Sequence, residues 1–296
     1  MLRRMRIRRL YLSLREGYGT GYERYAFDKF ASKMVREYDI SKVLELPADG
    51  IMGIPGIKSL IFAELGCNVT VAHPSKRLLL DARRLWAALG LEASFITTHY
   101  LVSGFKDDAF DLVWNFCVIE HVSDARSMIR EMLRVTRRYV LLEMQNVFNI
   151  GLPLHRLYHL LRKEPWDHGE LTKMRLSYVR RLFEREGGRV VEVGATDMPP
   201  WPDINIRLRE AQSQTIAASK QDADSASSEL RPNVKLRPVT EVIDELRRTS
   251  APASTAAPTF AERLFDIWYE FVESKVPTPL KILLAHHPYL IAEKCR

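Results

Sequence analysis

Between Ser41 and Leu142, short apolar runs alternate with longer amphipathic ones, and this alternation leaves the chain little choice of fold. The runs at 41–46 (SKVLEL), 68–72, 93–96, 111–115 and 139–142 have the length and composition of buried strands. The intervening segments place apolar residues at helical spacing. One spans 57–65 and closes at Gly66; another runs from about Ser75 to Leu89 and ends at Gly90. From Ala125 to Arg137, residues Ala125, Met128, Ile129, Met132 and Leu133 share one helical face. A further helix, Tyr22 to Tyr38, precedes the first strand. Strands joined by helices of about a dozen residues pair in parallel, and right-handed crossovers then cover both faces of the sheet. The expected architecture is a doubly wound α/β domain.

The pattern changes after Asn146. A helix-rich insertion (147–170) is followed by a helix from Leu171 to Glu186, Gly187-Gly188 and a strand RVVEVGA. Residues 212–258 are rich in Ser, Ala, Thr and Pro and poor in large apolar groups, which predicts a disordered linker. Order is expected to resume with an amphipathic helix, PTFAERLFDIWYEFVESK, and a last strand in HHPYLIAEKC. The domain expectation is therefore a basic arm (1–21), a core (22–200) carrying a lid-like insertion, a second insertion (201–283) and a closing strand (284–296).

Charge is distributed unevenly. Residues 1–16 hold six arginines against Glu16 alone, so most of the net charge of +7 sits on this arm and the remaining body is nearly neutral. Such an arm suits phosphate, anionic lipid or an acidic partner protein, or it is simply a solvated, frayed terminus. No aromatic-interleaved basic stripe supports nucleic acid. No window approaches the roughly 18 to 20 apolar residues of a membrane span, and the N-terminus lacks the apolar stretch of a secretory signal. Cys67, Cys117 and Cys295 form no metal-binding or disulfide pattern, so a reducing, cytoplasmic setting is expected.

In an open parallel sheet, ligands bind beyond the carboxyl ends of the strands, where strand order reverses. The loop after the first strand runs Glu45, Leu46, Pro47, Ala48, Asp49, Gly50, with Gly53 and Gly56 following. Its glycines allow close backbone approach and a sharp turn into the next helix.

The order of these segments resembles the class I S-adenosylmethionine-dependent methyltransferases, especially the branch acting on small molecules and lipids. The resemblance covers roughly residues 25–200 and the last strand. Its most specific part is Ala109 to Val122, AFDLVWNFCVIEHV, followed by Arg130 to Val135; Leu44-Glu45-Leu46 through Gly50 occupies the place of the family's glycine-rich first motif. It implies a mostly parallel seven-stranded Rossmann-like sheet with helical insertions, S-adenosyl-L-methionine as cofactor, and a small-molecule or lipid-like acceptor. It also implies that Glu45 reaches toward the cofactor's amino end, that the backbone of Ala48 to Gly50 faces its carboxylate and ribose, and that Asn115 and Phe116 border the methionine portion and the methyl group.

The chain departs from the family pattern at three places. Pro47 stands where the first glycine is expected, and Asp49-Gly50 replaces or contracts the second and third. The acid that grips the ribose after strand two falls on His73, beside Pro74, and the acid that meets the adenine amine after strand three falls near His99. A hydrogen bond to a charged group contributes about 1.5 to 3 kcal/mol, so each lost acid predicts cofactor binding weaker by about ten- to a hundredfold. Neutral histidine still accepts one hydrogen bond.

Methyl transfer from a sulfonium needs an aligned nucleophile with its proton removed, and His121, just past strand four, is the expected base; a histidine orienting a loop is the alternative. His155 and His159, spaced i, i+4 ahead of His168, lack a convincing third ligand, so no metal is expected. Strand four ends NFCVIE, unlike the [DN]-P-P-[YF] tetrapeptide of enzymes that methylate nucleobase amines. The competing readings are a non-catalytic interaction subunit of the same fold, motivated by His73 and His99, and an RNA or protein methyltransferase steered by the basic arm.

Overall fold

A computed structural model describes residues 7, 10–11, 18–48, 54–149, 151–163, 166, 169–199, 239–249 and 259–295, with backbone alone at 154, 155, 158, 245 and 247–249. Asp49 and Gly50 of the expected cofactor loop, and His168 of the insertion, lie outside the described residues, as does most of the basic arm.

Seven strands form one sheet: β1 (Lys42–Glu45), β2 (Asn68–His73), β3 (Ser94–Thr97), β4 (Phe110–Phe116), β5 (Thr136–Glu143), β6 (Gly188–Thr196) and β7 (His287–Lys294). Their order is β3-β2-β1-β4-β5-β7-β6. The first five run parallel, while β7 inserts antiparallel to both β5 and β6. Every residue of β4 is buried, as its central place and continuous apolar sequence require. The order reverses between β1 and β4, so the ligand crevice expected of such a sheet opens over their carboxyl ends.

The helices are α1 (Tyr18–Glu37), α2 (Leu60–Glu64), α3 (Lys76–Leu89), α4 (Ala125–Val135), α5 (Gly151–Arg162), α6 (Leu176–Arg185), α7 (Val239–Thr249), α8 (Phe260–Trp268), which continues as a π-helical turn (Tyr269–Glu273), and α9 (Thr278–Leu284). Local chemistry sets their ends. The Ser75 hydroxyl accepts from Leu78 N at the start of α3, and Gly90 closes that helix at φ 70°. Asp124 caps α4 through Ser127 N at 2.9 Å, and Thr259 with Glu262 forms a capping box on α8.

The sheet's alternation divides the core into two layers. On one face Val43, Val71, Leu112, Trp114 and Phe116 pack with Phe27 and Phe30 of α1, Leu60 and Phe62 of α2, and Leu85 and Trp86 of α3. Phe27 stacks on Trp114 at 4.8 Å between ring centroids. On the other face Leu44, Val113, Val140 and Leu142 meet Met128, Ile129 and Met132 of α4 and Val179 and Phe183 of α6. Each such large side chain contributes about 1.5 to 3 kcal/mol on burial.

Two expectations are corrected here. Residues 239–249, inside the segment read as a disordered linker, form α7, whose Val242, Ile243 and Leu246 are buried in the layer holding α3. The N-terminal arm is not wholly frayed, since Ile7, Leu10 and Tyr11 are buried in the same layer and the Tyr11 hydroxyl donates to Asp28 at 3.1 Å.

Candidate active site at the carboxyl edge of the sheet

Several of the residues expected to face a cofactor, Glu45, Leu46, Ala48, His73 and Asn115, lie around the strand-order reversal. β1 runs on past its last paired residue: Leu46 N donates to Trp114 O and Ala48 N to Ala72 O, with a cis Leu46–Pro47 peptide between them. Glu45 is buried, and its carboxylate accepts from the Ser59 hydroxyl at 2.5 Å, which in turn accepts from Trp114 Nε1 at 3.2 Å. Gly56 is left-handed, and a Cβ there would stand 2.8 Å from the Val71 side chain, so this turn needs glycine to pass over β2.

His73 is buried, and burial lowers its pKa to about 4, leaving the ring neutral at pH 7. Its Nδ1 accepts from Ser75 N at 2.9 Å, which assigns the ring hydrogen to Nε2. His73 therefore offers a donor at the place where the family offers an acceptor, which revises the expectation that it would accept. Pro74 follows it in the loop ahead of α3. His99 is exposed, stacks on Tyr100 at 4.6 Å and accepts from Leu101 N through Nδ1 at 3.3 Å.

Asn115 and Phe116 point to opposite faces of β4. The Asn115 amide donates to Leu46 O at 3.0 Å beside the sulfurs of Met128 and Met132, so it holds the backbone where the chain leaves β1. Phe116 faces the other way: the Lys58 ammonium lies 2.9 Å from its ring centroid and the His287 ring centroid lies at 4.8 Å. His121 is half-buried in the turn after β4, its backbone bonded to Val118 O.

Beside Phe116 lies a group of side chains that no sequence motif marks. Lys58 Nζ pairs with Glu23 Oε1 of α1 at 2.8 Å, and both are buried. His287, first residue of β7, turns Nε2 toward Glu23 Oε2 at 4.0 Å and Nδ1 toward Asp197 Oδ2 at 3.4 Å. Asp197 follows β6 in a left-handed conformation (φ 67°), and Cys117, at the end of β4, shares that backbone state (φ 50°). Left-handed non-glycine residues are costly and concentrate at functional sites. Glu273 of the π-helical turn supports Asp197 by accepting from its backbone N at 2.9 Å and from the Tyr22 hydroxyl at 2.5 Å. Glu143, at the end of β5, accepts from the Thr196 hydroxyl.

The electrostatics follow from this packing. Burial alone would raise Glu23, but Lys58 and His287 outweigh it and hold the carboxylate below its ordinary range. Burial pushes up Asp197, Glu143 and Glu273. One side chain oxygen of Asp197 and one of Glu143 are buried with no hydrogen-bond partner. The trio Glu23, Asp197 and His287 has ligand atoms within 4.8 Å of one another, close enough for a metal ion; the Lys58 ammonium already supplies positive charge there. In the insertion, His159 is buried against Trp166 at 5.6 Å, and the side chain of His155 is outside the description.

Residues 52–142 match the family of the methyltransferase domain. The chain carries a methyltransferase domain. Around that segment the sheet runs β3-β2-β1-β4-β5-β7-β6, the mostly parallel seven-stranded arrangement with one antiparallel strand that the resemblance implied. Similar solved structures include a Bacillus halodurans protein described as a methyltransferase, with 16% identity over 90% of this chain and 98% of that one and a TM-score of 0.49. Magnesium protoporphyrin IX methyltransferase from Synechocystis, solved with S-adenosylhomocysteine, matches at 18% identity, 62% and 80% coverage and TM-score 0.46. A Galdieria sulphuraria protein described as a sarcosine dimethylglycine methyltransferase matches at 14%, 90%, 85% and 0.48. No curated protein matches the sequence.

Proposed function

We propose that this methyltransferase binds S-adenosylmethionine over the carboxyl ends of β1, β2 and β4 and transfers its methyl group to a small or lipid-like acceptor. The observation that carries the reading is the collection of Glu45, His73 and Asn115, all buried, around the strand-order reversal inside the matched domain. The residues present fit an adenosyl ligand with one polarity inverted, because a ribose oxygen accepts from His73 Nε2 as readily as a ribose hydroxyl donates to a carboxylate. Glu45, the 46–50 segment, His73, Pro74 and His99 hold the cofactor, which supplies an electrophilic methyl carbon on a sulfonium. Phe116 borders the reacting centre and excludes water from it.

A lipid-like acceptor is favoured by α5. Leu157, Leu160 and Leu161 are 50%, 74% and 74% exposed, and Phe148 ahead of the helix is 60% exposed. Arg156, Arg162 and Lys163 lie among them, and no acid occurs between 147 and 163. An apolar stripe flanked by cations suits an interfacial helix on an anionic surface. It sits at the same edge of the sheet, since Asn149 contacts His286 and Asn146 donates to Ala285 O at 2.7 Å. Among the described residues no helix is long and apolar enough to cross a membrane.

Calorimetric titration with S-adenosylmethionine and S-adenosylhomocysteine tests the reading: saturable binding is expected, and no heat at millimolar ligand removes it. Transfer of labelled methyl groups into fractionated cell extract then identifies the acceptor.

A further inference from the structure

At the carboxyl end of β2 the polarity of the crevice is the reverse of what a free ribose calls for. In doubly wound sheets an acid after the second strand accepts from the ribose hydroxyls, whereas a cationic side chain there accommodates a phosphate on the ribose. Here the groups after β2 donate. His73 is 4% exposed, and its Nδ1 accepts from Ser75 N at 2.9 Å. Nε2, on the other edge of the ring, carries the hydrogen, meets no partner among the described residues and is not closed off from solvent.

Just beyond His73, α3 begins. The Ser75 hydroxyl accepts from Leu78 N, which leaves Lys76 N and Arg77 N without an acceptor among the described residues. These donors stand at the positive end of a helix of 14 residues. The Lys76 and Arg77 side chains are exposed and make no ion pair among the described residues. The first turn of α3 holds no acid, and the first acid along the helix, Asp81, is paired with Arg84 at 3.2 Å. A buried ring donor beside free backbone N–H groups and two surface cations is the chemistry of an anion site. Because Pro74 and Ser75 are only half-buried, an anion reaches this place from solvent and needs no enclosed cavity.

We propose that the β2 end of the crevice, formed by His73, Lys76, Arg77 and the N-terminus of α3, takes a phosphate carried on a ribose hydroxyl, so that an adenosine phosphorylated at its 2′ or 3′ oxygen competes there with S-adenosylmethionine. The inference rests on the reading that the crevice takes an adenosyl ligand, and it adds a second class of such ligand. A ribose hydroxyl accepts from His73 but finds no carboxylate for its own hydrogen. A phosphate is acceptor only and carries a charge of about −1.5 to −2 at pH 7, so every donor in the set is matched. The neutral His73 ring supplies a directed hydrogen bond, and the two cations supply the charge.

The test is calorimetric titration of the full chain with adenosine 2′,5′-bisphosphate, adenosine 3′,5′-bisphosphate, adenosine 5′-monophosphate and inorganic phosphate. One bisphosphate is expected to bind at least about tenfold more tightly than the monophosphate, and saturating S-adenosylhomocysteine should displace it. Equal affinity for the three nucleotides overturns the inference. Inorganic phosphate binding as tightly as the better bisphosphate, or a bisphosphate bound alongside S-adenosylhomocysteine, overturns it too. If S-adenosylhomocysteine binds and neither bisphosphate does, the inference fails and the methyl-transfer reading stands; if nothing binds, both fail. Two variants locate the site. His73→Asp exchanges a donor for a negatively charged acceptor, so the bisphosphate should weaken at least about tenfold while S-adenosylhomocysteine tightens; unchanged bisphosphate affinity refutes the site. Should that variant misfold, Lys76→Ala/Arg77→Ala alters only exposed side chains and should cost the bisphosphate at least about tenfold more than it costs S-adenosylhomocysteine. Equal losses on the two ligands would sink the assignment.

Discussion

Asp111 shows how much one buried carboxylate can organise. Its Oδ2 accepts from Ser41 N at 3.0 Å, Ser41 Oγ at 2.7 Å and Lys42 N at 2.8 Å, while Oδ1 meets Arg137. It thus ties the starts of β1, β4 and β5, and although burial opposes ionisation, these bonds lower its pKa. Asp111→Asn turns a donor toward donors, and about 2 to 4 kcal/mol of stability at pH 7 should be lost in urea titrations. A depressed carboxylate contributes above its unfolded pKa, so the difference between variant and parent should shrink as pH falls through the folded value. His73→Asp restores the acceptor that the family has after strand two, and S-adenosylhomocysteine should then bind about tenfold or more tightly by calorimetry. Positions such as His73 were legible from the sequence because strand ends can be counted. The tautomer was not, since it depends on the Ser75 backbone turning back on the ring. His287 was passed over because HHPYLIAEK reads as a strand, and its partners Glu23, Lys58 and Asp197 carry no local pattern linking them.

Elements were legible wherever period and caps agreed, as in α3 with Ser75 and Gly90, and hidden where composition overrode period. Eleven residues, VTEVIDELRRT, form an amphipathic helix within a Ser-, Ala- and Pro-rich stretch whose average composition reads as linker. The docking of the first insertion onto the loop after β4 likewise depends on one glycine. Gly169 has φ 82°, a Cβ there would stand 2.6 Å from Glu120 O, and Glu170 N donates to that oxygen at 2.8 Å. Gly169→Ala combines left-handed strain with a backbone clash, so a loss of about 1 to 3 kcal/mol is expected, with faster amide exchange at 119–122. For α5, Leu160→Ser with Leu161→Ser removes two exposed apolar groups worth together a few kcal/mol on an interface. Co-sedimentation with phosphatidylglycerol vesicles should fall at least about tenfold while S-adenosylhomocysteine binding is retained. Unchanged sedimentation would refute the interfacial role of this helix.

At the scale of the molecule, two sets of buried groups pull stability in opposite directions with pH. His73, depressed to about 4 by burial, is neutral in the fold and ordinary when unfolded. Its contribution is full above about pH 6.5 and diminishes by about 3 kcal/mol as pH falls to 4. Glu143, Asp197 and Glu273 are raised by burial, so the fold holds protons that the unfolded chain has released. Their contribution is full below the unfolded carboxylate value of about 4.3 and is lost as pH rises through the folded values. Between about pH 4.3 and 6.5 the two trends therefore oppose each other, and the loss at higher pH can be assigned to a residue. Glu143→Gln keeps a carbonyl for Thr196 and mimics the protonated side chain. Parent and variant should unfold at similar urea concentrations near pH 5, and above it the parent should lose up to about 1.4 kcal/mol per pH unit relative to the variant until Glu143 is ionised in the fold. Parallel curves would place the titrating proton elsewhere in the cluster.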